Sequence, residues 1–196
     1  MGPNREVPLS VELDAAVHVR PYAGSPRGGD LGVIRALDDG ALVALVDAVG
    51  HGLTAYAAAQ IARLTLLATQ RDQPDEVLAE LHEALKGSVG AAAAVARLRR
   101  GHFSFAGIGN VAGWCAGQRL LVRDGVLGQR FRAPRVSEYE IVTGQWLILN
   151  TDGVSYAGAA QPAGEAATVA RALVERAGKA HDDAAVLAAR WVERAP

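Results

Sequence analysis

The chain of 196 residues holds a single cysteine, Cys115, so no intramolecular disulfide can form and zinc sites built on several thiolates are excluded. Such a chain suits a reducing compartment, and the cytoplasm is the expected location. A basic excess is missing as well. Lys plus Arg number 20 against 21 Asp plus Glu, and a net charge of -1 is not the balance of a phosphate-backbone binder. Nucleic acid is therefore not an expected partner, and no basic patch is expected on the surface. Long apolar runs are also absent. Ala41 to Val46 stops at Asp47 and Ala91 to Ala96 stops at Arg97, far short of the roughly 20 apolar residues that span a bilayer. No membrane partner is expected. The first twenty residues carry Arg5, Glu6, Glu12 and Asp14 without an unbroken hydrophobic segment, which argues against a cleaved secretory signal.

What is present suits a folded core. Half of the residues are apolar and 21% are charged, which fits one domain over residues 1–196. Val11, Leu13, Ala15, Val17 and Val19 alternate with Glu12, Asp14, His18 and Arg20, the period of a strand with one wet face, on which His18 is expected to be solvated. A loop rich in Pro and Gly follows from Pro21 to Gly29. Leu31 to Ala36 and Leu42 to Val46 then flank Asp38-Asp39-Gly40, a hairpin in which both aspartates read as turn formers. Leu53, Ala57, Ile61, Leu64 and Ala68 recur at helical spacing and predict a helix buried on that face. A second helix starts at Pro74, with Asp75 and Glu76 in its first turn, an apolar stripe of Val77, Leu78, Leu81 and Leu85, and Gly87 to close it. His82 falls off that stripe and is expected at the surface.

Ala91 to Arg100 stays open: alanine favours helix, while the length and flanking glycines suit a buried strand. Phe103 and Phe105 mark the next strand, Gly109-Asn110 reads as a turn, and Val111 to Ala116 would return beside it as a meander. Further strands are expected at Leu120 to Arg123, Tyr139 to Val142 and Gln145 to Asn150. Ala166, Val169, Ala170, Leu173 and Val174 predict a last helix ending at Gly178, before a strand from Ala184 to Trp191. Strands, two helices, many strands, one helix and one strand make an α+β chain with antiparallel sheets.

Acidic residues recur at the ends of these strands. Asp30 follows Gly28-Gly29, Asp47 closes Ala41 to Val46, Asp152 follows Trp146 to Leu149, and Asp182-Asp183 precede Ala184 to Leu187. Carboxylates and backbone carbonyls suit hard divalent cations such as Mg²⁺ or Mn²⁺. In this order Gly28-Gly29-Asp30, Asp47-Ala48-Val49-Gly50-His51-Gly52, Thr151-Asp152-Gly153 and Asp182-Asp183 resemble the motifs of the metal-dependent serine/threonine protein phosphatases of type 2C, in particular their SpoIIE-like bacterial branch. Gly90-Ala91-Ala92-Ala93, Ile108-Gly109-Asn110-Val111 and the closing Asp-Asp strand are similar to the stressosome phosphatases within it. The similarity runs from about Gly28 to Trp191.

The resemblance implies two stacked antiparallel β-sheets flanked by α-helices, an αββα sandwich in which Ala91 to Leu98 is a strand. It implies two divalent cations, Mn²⁺ or Mg²⁺, with Asp47 bridging them, Ala48 lending its carbonyl, and Asp30, Asp152 and Asp182 completing the set directly or through water. Asp183 is the weaker member of its pair. Many relatives have glycine where Ala48 stands, a change that a backbone ligand tolerates. The implied reaction is hydrolysis of phosphoserine or phosphothreonine without a covalent enzyme intermediate, and the implied partners are phosphorylated STAS-domain signalling proteins, the components of a stressosome. The rival is a partner-binding regulatory domain of the same fold with weak catalysis; the full aspartate set favours the enzyme. His51 suits either a general acid or the entry to the Leu53 helix, with the second preferred. Arg27 reads as an exposed loop residue rather than a phosphate ligand, and Cys115 as a core thiol.

Overall fold

The computed structural model describes residues 10–23, 25–158 and 161–194; Arg5 and Glu6 lie outside them. In chain order the elements are β1 (Ser10–Arg20), β2 (Asp30–Leu37), β3 (Gly40–Ala48), α1 (Gly52–Ala68), α2 (Pro74–Ala84), β4 (Ala91–Arg99), β5 (His102–Ile108), β6 (Ala112–Cys115), β7 (Gln118–Arg119), β8 (Ser137–Glu140), β9 (Leu147–Asn150), α3 (Ala166–Ala177) and β10 (Ala184–Arg194). They build two five-stranded antiparallel sheets, β1-β10-β9-β6-β7 and β2-β3-β4-β5-β8. The α+β sandwich expected from the motifs is the observed architecture.

Three apolar layers hold it together. Helices α1 and α2 cover the outer face of the second sheet, the two sheets face each other, and α3 covers the outer face of the first. The strand period shows directly in β3 and β4, which are buried on both faces. Leu42, Ala44, Val46, Ala91, Ala93 and Val95 point to the helices. Ala41, Val43, Leu45, Ala92, Ala94 and Ala96 point to the opposite sheet. This decides the question left open by composition: alanine in β4 supplies small contacts on two faces, and pairing with β3 and β5 overrides its helical propensity.

Several expectations need correction. Helix α1 forms over the expected residues but buries another face, Ala55, Ala58, Ala59, Ala62 and Leu66; Leu53 is 75% exposed and Leu64 64% exposed. Small side chains let this helix lie close to the sheet, so its bulkier residues face outward. Gly109-Asn110 is not the turn of a meander, because β5 and β6 belong to different sheets and this turn carries the chain between them. Leu120 to Arg123 forms no strand beyond a single bridge at Arg123, and the strand expected at Tyr139 to Val142 is β8, displaced toward the N-terminus. The polar face of β1 is covered by α3. There Asp14 accepts hydrogen bonds from the backbone N–H of Ala166 at 3.2 and 3.1 Å and pairs with Arg190 at 3.2 Å, and His18 is half-buried. His82 is half-buried too, stacking on Phe131 at 4.5 Å and accepting from the Gly128 N–H at Nδ1.

Candidate active site

The strand ends that carry the acids meet at one end of the sandwich. The β2-β3 register sets Asp30 opposite Asp47 on the second sheet. Asp152 follows β9 and Asp182 precedes β10 on the first. A cavity of about 330 Å³ opens between them, lined by Tyr22, Asp47, Val49, Gly50, His51, Asn110, Asp152, His181 and Asp182. Three of the expected acids thus stand in its wall. Asp30 lies behind Asp47, buried, and Ala48 is buried with its carbonyl oxygen against Gly29, 3.1 Å from where a Cβ would stand there.

The members of the Asp-Asp pair differ in what they touch. Asp183 is buried, and its two oxygens accept from the backbone N–H groups of Tyr22 at 2.8 Å and Gly29 at 2.6 Å, so it pins the loop before Asp30. A Cβ on Gly28 would meet that carboxylate at 2.7 Å, and one on Gly153 would meet the Asp183 carbonyl at 1.7 Å. Glycine at these places is a requirement of close approach. Asp182 instead faces the cavity.

Two residues without a role assigned from sequence organise the acids. Thr151, fully buried, donates from Oγ1 to Asp30 at 2.7 Å and accepts there from the Ala185 N–H at 3.0 Å, tying one sheet to the other. Asn110 donates from Nδ2 to Asp152 at 2.7 Å. The signals were present, since Thr151 precedes Asp152 and Asn110 follows Gly109, but both roles depend on the two sheets meeting. His51 sits at the entry to α1 and makes no capping hydrogen bond with its side chain; its ring meets Tyr22 edge-on at 5.4 Å in the cavity wall. Arg27 is exposed, with its guanidinium over the Tyr56 ring at 4.8 Å. Cys115 is a core thiol that burial pushes up to about 11.

The electrostatics are those of carboxylates lacking a counter-charge. Burial, then the charge of Asp47, hold the Asp30 carboxyl well above the usual carboxylate range. Burial, then Asp152 and Asp182, push Asp47 up to about 7, with hydrogen bonding from Asn110 opposing them. Among the described residues no Lys, Arg or His forms an ion pair with any of the four acids. An all-oxygen donor set whose charges repel one another fits hard divalent cations. The acids surround the cavity rather than converge on a point, and among the described residues no three acidic, His or Cys side chains already stand as a closed cation site.

Solved structures share this architecture. A chain of the bacterial stressosome, described as a modular system adapted to control secondary messenger signalling, is 25% identical with a TM-score of 0.84, covering 91% of this chain and all of its own. RsbX in complex with magnesium is 17% identical with a TM-score of 0.78, over 93% of this chain and 99% of its own. The catalytic domain of the serine/threonine phosphatase PstP, in complex with two manganese ions, is 18% identical with a TM-score of 0.69, over 93% of this chain and all of its own. No curated protein sequence matches the chain. Fold and acid-lined strand ends together define the class of PP2C-type serine/threonine protein phosphatases. Stage II sporulation protein E (SpoIIE) matches residues 38–192, and the chain belongs to that family.

Proposed function

We propose that the chain hydrolyses phosphoserine or phosphothreonine on a stress-signalling protein, a phosphorylated STAS-domain component of a stressosome, with two divalent cations at the acid-lined cavity. The observation that carries this reading is the gathering of acidic strand ends from both sheets around one cavity with no protein cation to neutralise them. Asp47, Asp152 and Asp182 would hold the cations at the cavity wall, with Asp30 and the Ala48 carbonyl behind them. Bound there, Mn²⁺ or Mg²⁺ would acidify water at neutral pH and offset the charge of the phosphoryl oxygens.

The chain's own groups do the positioning. Thr151 fixes the Asp30 carboxylate, and Asn110 holds Asp152 while hydrogen bonding to Asp47. Asp183 fixes the loop that brings Tyr22 to the cavity. His51 and His181 at the wall can donate to a phosphoryl oxygen or a departing alkoxide. Val49 and Gly50 leave the mouth open to a side chain carried on a large partner.

The test pairs a small substrate with a large one. Turnover of 4-nitrophenyl phosphate is expected with Mn²⁺ and not with excess chelator. Phosphorylated STAS-domain proteins are expected to lose 80 Da on incubation, read by intact mass, the mass of one phosphoryl group exchanged for a proton. Turnover of neither substrate would favour the partner-binding domain.

A further inference from the structure

The charge balance of the whole chain conceals a local imbalance. Within residues 119–135 stand Arg119, Arg123, Arg130, Arg132 and Arg135 against one acid, Asp124, in a chain whose net charge is -1. All five arginines are exposed, and among the described residues none makes an ion pair. The expectation of a surface without a basic patch is thereby corrected. Whole-chain counts average over the surface, whereas these residues stand together at the end of β7 and along the irregular segment that follows it.

We propose that this arginine rim, with Leu121 at its centre, docks an acidic surface of the phosphoprotein substrate beside the active site. The proposal deepens the function proposed above and rests on it. Leu121 is 77% exposed and borders two adjoining clefts. One, of about 460 Å³, is flanked by Arg123 and Arg135; the other, of about 290 Å³, by Arg119 and the lone acid Asp124. An exposed apolar side chain that shares its clefts with Arg119, Arg123 and Arg135 has the composition of an interface anchor beside a charged rim.

The rim is joined to the active site by backbone. Arg123 donates its N–H to the Gly107 carbonyl at 2.9 Å, and its own carbonyl accepts from the Gly109 N–H at 2.8 Å. The next residue is Asn110, which lines the cavity and holds Asp152. The cleft that Leu121 borders is also lined by Gly109, one residue along the chain from the cavity wall at Asn110. Arg119 stands over the Trp114 ring at 5.8 Å, and Arg123 reaches the Ala133 carbonyl with one nitrogen, which leaves their charge facing outward. An exposed leucine set beside arginines favours an acidic protein surface over a nucleic-acid backbone, which calls for a long basic track without an apolar centre.

The experiment uses two phosphoserine peptides with one reactive core, one carrying an acidic tail with a leucine and the other a lysine tail. With Mn²⁺ at low salt the wild-type protein is expected to favour the acidic tail by about tenfold in kcat/KM, a preference that fades as salt screens the charges. Arg119→Glu/Arg135→Glu should abolish or reverse it, and Leu121→Ser should weaken it, with 4-nitrophenyl phosphate turnover unchanged. Equal use of the two tails by the wild type, or a preference untouched in the double variant, overturns the proposal. So does retention of single-stranded RNA or of anionic lipid vesicles by the rim without any tail preference. If the wild type turns over none of the substrates, it is the proposed function that fails. Anisotropy of a labelled, unphosphorylated acidic peptide then still decides docking: tighter binding to wild type than to the double variant supports it, and equal binding overturns it.

Discussion

Strand β3 borders buried charge at both ends, and the two ends are treated in opposite ways. Beside Gly40 the protein supplies the counter-charge itself. Arg97, only 2% exposed, bonds Asp39, Asp72 at 3.0 Å and the Leu98 carbonyl at 2.9 Å, while Arg99 pairs with Asp39 at 2.8 Å. Hydrogen bonds from Arg99 and Arg97 lower Asp39 to about 2. At the Ala48 end Asp47 is pushed the other way, to about 7, by burial and by its acidic neighbours. The same kind of side chain on the same sheet is thus stabilised as an anion at one end and penalised as an anion at the other. Arginine stands beside Asp39, whereas among the described residues no Lys or Arg pairs with Asp47, and this difference is the basis of the proposed cation site at the Ala48 end.

The largest effects should come from breaking the uncompensated end. Asp47→Asn or Asp152→Asn should lower phosphatase turnover by about a thousandfold or more with the fold retained, since a lost carboxylate removes both cation affinity and charge placement. Wild-type rates in either variant, by circular dichroism still folded, would remove these residues from the site. Next in size is substrate choice. The surface of a folded partner adds binding that a short peptide lacks, so a phosphorylated STAS-type protein should exceed a short peptide with the same phosphoserine by roughly a hundredfold in kcat/KM. Equal efficiency would point to a broad-specificity phosphatase.

At the compensated end the expected response is structural. Arg97→Leu should lower the midpoint of chemical denaturation, because Asp39 and Asp72 then keep only Arg99 and the Leu98 carbonyl loses its donor, and should leave turnover nearly intact. A loss of turnover without a loss of stability would mean the two ends are coupled. The smallest effect concerns His51. His51→Ala should retain activity within about tenfold, below the usual contribution of a general acid. A larger fall in a pH-dependent rate, at unchanged melting temperature, would assign it the acid's role.

Much of this contrast was legible in the sequence, for reasons that differ by element. The stripes of α2 and α3 use Leu and Val on the buried face, so their orientation follows from spacing alone. Helix α1 misleads because its buried face is mostly alanine, and hydrophobic spacing follows Leu53, Ile61 and Leu64 outward. The acids could be picked out because each stands at the end of an apolar run, most of them beside glycine or another acid. Thr151 and Asn110 could not be given roles, since each acts across the gap between sheets, and the local pattern of Gly109-Asn110 is the same for a hairpin as for a crossover. Which of Asp182 and Asp183 faces the cavity likewise depends on the backbone of the Tyr22 loop, far away in sequence.

The central claim is that the Ala48 end waits for a cation, and thermal unfolding of metal-free protein between pH 5 and pH 8 tests it most directly. A carboxyl raised from its unfolded value of 3.8 to about 7 favours the folded state when protonated, so that contribution is complete below pH 4 and is lost as pH rises through 7. Metal-free wild type should therefore lose stability toward pH 8, by an amount on the order of 1–3 kcal/mol. Added Mn²⁺ should restore it by several degrees at pH 8, where Asp47 is mostly ionised. In Asp47→Asn the pH-dependent loss should shrink, leaving the share that burial of Asp30 contributes, and most of the Mn²⁺ effect should disappear. A wild-type melting temperature that is flat with pH and indifferent to Mn²⁺ would contradict the account.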